Sequence, residues 1–89
     1  MERVIYCWTE TDAEHMGAIL IATGRTWLTR NRNGELLANR LEPFRDGAFW
    51  IYSDAPCVLN QELLHKIKPW HPPVNIMDVV VGHITDRLI

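Results

Sequence analysis

The stretch from Arg25 to Asp54, RTWLTRNRNGELLANRLEPFRDGAFWIYSD, constrains the fold more than any other part of the chain. It carries two turn signals, at Asn31-Arg32-Asn33-Gly34 and at Arg45-Asp46-Gly47, and holds Trp27 and Trp50 together with five arginines. Asn and Gly tolerate the positive φ that tight hairpin turns require. Pro43 has no N–H to give to a ladder, so the strand before it ends by Leu41 or Glu42. Phe49-Trp50-Ile51-Tyr52 is an unbroken aromatic and β-branched run, the pattern of a strand buried on both faces. Together these features predict a three-stranded antiparallel meander over residues 26–53.

Two registers compete at the first turn. A two-residue loop at Asn33-Gly34 pairs Arg30 with Leu37 and Leu28 with Asn39, which mixes polar and apolar side chains on both faces. A longer loop over Asn31 to Gly34 pairs Arg30 with Glu35, Leu28 with Leu37 and Trp27 with Ala38. The second is preferred, because apolar and opposite-charge cross-strand pairs each contribute roughly 0.2–1 kcal/mol. A slip of one residue exchanges the two faces, so the choice matters. The preferred register also sets Arg25 opposite Arg40, a like-charge pair that an anionic partner would relieve.

Elsewhere, Arg3 to Trp8 (RVIYCW) is a β-favouring run and is read as an N-terminal strand. Thr11 followed by Glu14 has capping-box spacing and marks a helix start, with Gly24 as a left-handed stop. Against that helix, Gly17 costs about 1 kcal/mol in a helix interior, and Ile19-Leu20-Ile21 reads equally as strand. Asn60 is placed to cap a short helix reaching about Lys66. Lys68 to Pro73 is too proline-rich to be helical and is expected to be extended. Asn75, with Asp78 three residues on, is placed to cap a final helix whose face carries Met77, Val80, Ile84 and Leu88. The Val79-Val80-Val81 run makes a closing strand the rival reading. The expectation is one α+β domain over residues 1–89: a small antiparallel sheet, made of the meander and the N-terminal strand, with two or three short helices.

The composition is that of an ordinary globular protein, 47% hydrophobic and 22% charged with a net charge of −2. No apolar run approaches the ~20 residues of a membrane helix, so no membrane association is expected. Glu2 and Arg3 interrupt the N-terminal apolar stretch, so a secretory signal is not expected and the chain is read as cytoplasmic. Cys7 and Cys57 are too few for a disulfide framework and are read as reduced, semi-buried thiols.

No motif in the chain specifies an activity. The potential metal ligands are Cys7, Cys57, His15, His65, His71 and His83, and no two are closer than six residues. Structural zinc sites place paired ligands two to five apart, so neither metal nor cofactor is expected. Ser53 is the single serine. No glycine stands in a phosphate-binding frame. Glu10, Asp12 and Glu14 are helix-start charges, and no catalytic residue is assigned.

Two surfaces remain as binding candidates. One is the basic side of the meander, with Arg25, Arg30, Arg32, Arg40 and Arg45 around Trp27. The other is the Trp70-His71-Pro72-Pro73 segment, to which Trp8 or Tyr6 is a candidate addition. Trp and Arg are enriched where protein partners bind. The blander accounts are that the arginines pair with Glu35, Glu42 and Asp46, and that Trp70 packs over the core edge. The reading on balance is a non-enzymatic protein-binding module whose partner is a larger protein or protein complex. Small accessory and inhibitor proteins of viruses and mobile elements share this general character, a likeness of type alone. The alternative is a nucleic-acid-binding protein that uses an arginine-rich β-hairpin.

Overall fold

A computed structural model describes residues 6–47 and 49–88. The first half of the expected N-terminal strand, residues 3–5, lies outside that range. Its described part, Tyr6 to Trp8, is not in a strand. Helix α1 spans Glu10–Thr23, followed by strands β1 (Trp27–Arg30), β2 (Leu36–Asn39), β3 (Phe44–Asp46), β4 (Phe49–Ile51), β5 (Cys57–Leu59) and β6 (Val74–Asn75), and by helix α2 (Ile76–Leu88). Among the described residues the strands form an antiparallel four-stranded sheet, ordered β5-β2-β1-β6, and a separate β3-β4 hairpin. The fold is thus α+β, with two helices among the described residues.

Residues 10–23 are helical despite Gly17. The cap lies two residues earlier than expected. Thr9 accepts from the Asp12 N–H at 3.1 Å, and the Asp12 carboxylate accepts from the Thr9 N–H at 3.0 Å. Both ends of the capping box are therefore satisfied. Gly24 ends the helix at φ 67°, and its N–H donates to the Leu20 carbonyl. The final segment is also helix. Asn75 Oδ1 accepts from the Met77 N–H at 3.0 Å, as a cap should. Its inward face carries Ile76, Val79 and Val80, while Met77 is exposed. The side chains of Ile84 and Leu88 lie outside what the structure describes.

The β1-β2 turn joins antiparallel strands as predicted, yet in neither expected register. Arg30 pairs with Leu36, Thr29 with Leu37, Leu28 with Ala38 and Trp27 with Asn39. The loop is Arg32-Asn33-Gly34. The Gly34 N–H donates to the Asn31 carbonyl at 2.9 Å, and the Asn31 N–H donates to the Glu35 carbonyl at 2.8 Å. Gly34 lies at φ 93°, the bulged glycine of a three-residue hairpin loop. Arg30 is therefore not opposite Glu35, and Arg25 is not opposite Arg40. This register puts Leu28, Leu36, Ala38 and Val74 on one face, where Met16, Ile19, Ile76 and Val79 of the two helices bury them. Nothing crowds a Cβ at Gly34. Gly34→Ala is therefore expected to lose only the conformational term, about 1–2 kcal/mol, measured as a shift in urea midpoint. An unchanged midpoint would mean that this turn does not need positive φ.

The third strand of the expected meander is elsewhere. Phe49–Ile51 folds back on Phe44–Asp46 through the turn at Gly47 (φ 61°) and does not pair with β2. The free edge of β2 is taken instead by Cys57–Leu59. Trp50 is half-buried and Ile51 exposed, so the aromatic run is not buried on both faces.

Residues 60–67 form consecutive turns where a helix was expected. Asn60 Oδ1 accepts from the Glu62 N–H, Leu63 N–H donates to Asn60 O, and Ile67 N–H donates to Leu64 O. Leu64, at φ 53°, cannot continue a right-handed helix. The carbonyls that a helix would have used internally go to Arg30. Its Nε donates to Ile67 O (2.7 Å), Nη1 to Gly34 O (2.7 Å) and Gln61 O (3.2 Å), and Nη2 to Leu63 O (2.7 Å) and Leu64 O (3.1 Å). These are all five donors that a guanidinium possesses. The side chain is 6% exposed, and burial pulls its pKa below the ordinary arginine value.

Candidate functional site

The turn that carries Trp70 begins where the Arg30-bound loop ends. Pro69 presets its second position, and His71 N–H donates to Lys68 O at 3.0 Å. The segment Lys68 to His71 therefore turns and is not extended. Its conformation is fixed through His71. The Nδ1 of His71 lies 3.2 Å from the Lys68 N–H and 2.8 Å from the Tyr6 hydroxyl. A backbone N–H can only donate, so Nδ1 is an acceptor and the ring proton sits on Nε2. Burial pushes the Tyr6 phenol up to about 12, which keeps it a protonated donor. Tyr6 also stacks on Trp8, with ring centroids 4.3 Å apart, and meets His71 edge-on at 5.4 Å.

Burial is the main reason that the His71 pKa lies below its ordinary 6.5. Lys68 and Arg45 push the same way, against a hydrogen bond to the Lys66 backbone. The Asp12 carboxyl is also lowered. Desolvation opposes its charged form, but hydrogen bonds from Lys66 and Thr9 together outweigh that effect. A group whose pKa is depressed by folding contributes stability above its unfolded value, and that contribution is lost as pH falls through the folded value. The His71 share should be complete above about pH 6.5 and decline below it, with Asp12 following below its ordinary 3.8. Urea midpoints at pH 7.5, 6.5 and 5.5 should fall in the wild type and fall less steeply in His71→Asn, where an amide oxygen can replace Nδ1. Equal slopes would show that His71 gains nothing from being neutral.

The β3-β4 hairpin forms the other wall. Arg45 and Trp50 are cross-strand partners, and the Arg45 guanidinium lies 4.5 Å above the Trp50 ring, within cation–π range. Arg45 Nη2 donates to Pro69 O at 2.5 Å and His71 O at 3.1 Å, tying the hairpin to the turn. Trp50 Nε1 donates to Arg30 O at 3.3 Å, and the Tyr52 hydroxyl to Asn31 Oδ1 at 3.0 Å, tying it to the end of β1. Arg32, Arg45, Pro69 and Trp70 then line an open cleft of about 200 Å³. Trp70 is 66% exposed and meets His71 edge-on at 5.7 Å.

The two surfaces expected from the sequence thus meet in part. Arg32, Arg45 and Trp70 converge on one cleft, and His71 supports it from behind. Arg32 has no hydrogen-bond or ion-pair partner among the described residues. The other expected residues are not brought there. Arg30 is buried and saturated. Arg25 Nη1 donates to Ala55 O at 2.9 Å. Arg40 lies 3.8 Å from Asp54 in an exposed pair. Trp27 is half-buried in β1 beside Asn39 and Asn75. Pro69 and Trp50 contribute to the cleft or its support without having been singled out, whereas Tyr6, named with the Trp70 surface, does lie against His71. A Pro at the second position of a possible four-residue turn was the one available signal for Pro69.

On the opposite face of the sheet, Asn39 is 3% exposed. Its Nδ2 donates to Thr29 Oγ1 at 3.1 Å and Trp27 O at 3.3 Å. Its Oδ1 has no partner among the described residues. The two cysteines are free: Cys57 is half-buried, whereas Cys7 is exposed and not semi-buried as expected. Among the described residues no three His, Cys, Asp or Glu side chains cluster in a way that could hold a metal ion. No described helix is long and apolar enough to cross a membrane. No family model matches the chain, and neither a curated protein nor a solved structure matches it.

Proposed function

We propose that this chain is a small non-enzymatic protein-binding module, of accessory or inhibitor type, that covers part of the surface of a larger protein partner. The observation that carries the reading is the cleft in which an exposed tryptophan stands beside two arginines, one of them without a partner among the described residues. Trp and Arg are the residue types that most often dominate protein interfaces. Arg45 is held by two carbonyls and an indole, so less ordering entropy is lost when a partner binds.

The nucleic-acid alternative draws on the same arginines and is weaker. Phosphate binding gains from many cations, each phosphate neutralised on a duplex steepening the salt dependence by about 0.9. Arg30 is consumed by the fold, Arg25 is committed to Ala55, and Arg40 sits beside Asp54. The meander that was to present five arginines side by side is not formed.

Trp70→Ala should leave the urea midpoint within about 0.5 kcal/mol of wild type, as for an exposed side chain. It should weaken the partner complex by about 2 kcal/mol, roughly thirtyfold. Affinity capture with and without nuclease, using both proteins, provides the test. A nuclease-resistant protein retained equally by wild type and Trp70→Ala would move the interface elsewhere. Nuclease-sensitive capture would transfer the reading to nucleic acid.

A further inference from the structure

We infer that the segment of the partner seated in the Arg32–Arg45–Trp70 cleft is acidic, a carboxylate side chain next to an apolar or aromatic one. This rests on the protein-binding reading and adds the chemistry of what is bound. Among the described residues the cleft lining holds two cations and no anion, in a chain whose net charge is −2. The nearest acid in sequence, Asp46, alternates to the other face of β3 from Arg45. The mouth of the cleft is therefore positive while the chain as a whole is negative. That arrangement favours a local carboxylate and disfavours an extended polyanion.

The two arginines offer different things. Arg45 Nη2 already donates to Pro69 O and His71 O. The two edges of a guanidinium that grip a carboxylate with parallel bonds pair Nη2 with Nε or with Nη1, so both use Nη2. Arg45 is thus left with single hydrogen bonds and its charge. Arg32, without a partner among the described residues, keeps a free fork for bidentate binding. Trp70 and Pro69 supply the apolar wall against which the neighbouring side chain of the partner packs. A carboxylate with one hydrophobic neighbour matches this division, and a repeating phosphate backbone does not.

The test uses the capped peptides Glu-Glu-Phe-Glu-Glu and Gln-Gln-Phe-Gln-Gln and a twelve-nucleotide oligothymidylate. The readout is the NMR signals of the Trp70 indole N–H and the Arg32 Nε–H. The acidic peptide should shift both signals saturably. The glutamine peptide should bind roughly ten- to a hundredfold more weakly, the loss expected for a charge-assisted hydrogen bond. Arg32→Ala should reduce binding of the acidic peptide by a similar factor, and Arg32→Lys should restore only part, because lysine lacks the fork. Arg32 lies in an exposed turn, so these variants should fold. Equal binding of the two peptides, no shift at millimolar acidic peptide, or tighter binding of oligothymidylate would each overturn the inference. If the acidic peptide fails while Trp70→Ala still abolishes capture of a nuclease-resistant protein, the acidic chemistry falls and the protein-binding reading stands. If both fail, both fall.

Discussion

Arg30→Met is expected to remove about 3–5 kcal/mol of folding stability, because it leaves several buried carbonyls without a donor. The whole domain has only about 5–15 kcal/mol to lose, so the variant should be largely unfolded at modest urea. The size follows from how the guanidinium is used. It donates to the carbonyls of Gly34, Gln61, Leu63, Leu64 and Ile67, and no carboxylate takes part. These residues come from the hairpin loop after β1 and from the turns of residues 61–67. Methionine fills the volume but leaves those carbonyls without a donor, and each buried, unsatisfied group costs about 1–3 kcal/mol unless water reaches it. Arg30→Lys separates geometry from charge. Lysine keeps the charge but has three donors at one point, where the carbonyls need five spread over a plane. It should be almost as damaging as methionine. A midpoint loss below about 1 kcal/mol for Arg30→Met would show that the carbonyls find other donors, and that Arg30 does not organise the loop.

Ile67→Ala has the second largest expected effect, about 2–5 kcal/mol from lost burial and the cavity left behind. Ile67 is 1% exposed in the core, and its carbonyl accepts from Arg30 Nε. It also ends the loop immediately before the turn that presents Trp70. Ile67→Val should cost only about 0.5–1.5 kcal/mol. Because Ile67 and Arg30 are in contact, the double variant should lose less than the sum of the two single losses, by about 0.5–3 kcal/mol. Strict additivity would mean that the Ile67 side chain and the Arg30 network stabilise the loop independently. The site follows the same logic. Loosening residues 61–67 should broaden the Trp70 indole signal even where the protein remains folded, since Trp70 is held through His71, Lys68 and Arg45.

Part of the local chemistry written in the sequence survived the passage to structure, although the α1 cap moved to Thr9 and the Asn60 helix did not form. The Asn33-Gly34 turn joins antiparallel strands through a positive-φ glycine, Gly24 stops α1, and Asn75 caps α2, because each depends on atoms within a few residues. The helical reading of residues 12–22 and of 76–88 was open from sequence alone. The tertiary structure decided it, through the burial of Met16, Ile19, Ile76 and Val79 against the sheet. Long-range pairing was not legible. Phe49–Ile51 had two possible partners of similar propensity, and the short connection to Phe44–Asp46 won over β2, whose free edge went to Cys57–Leu59. The register of β1 and β2 misled for a related reason. Pair preferences of a few tenths of a kcal/mol favoured Arg30 beside Glu35. They were outweighed by a slip of one residue that brings Leu36 and Ala38 onto the face of Leu28, the face on which Arg30 meets five carbonyls. Residue type could mark Arg32, Arg45 and Trp70 as binding candidates, since arginine and tryptophan carry their chemistry wherever they stand. Which arginine would be buried, which tied down and which left free depended on distant backbone carbonyls. Carbonyls are present at every position of the chain, so only the folded arrangement distinguishes the ones that matter.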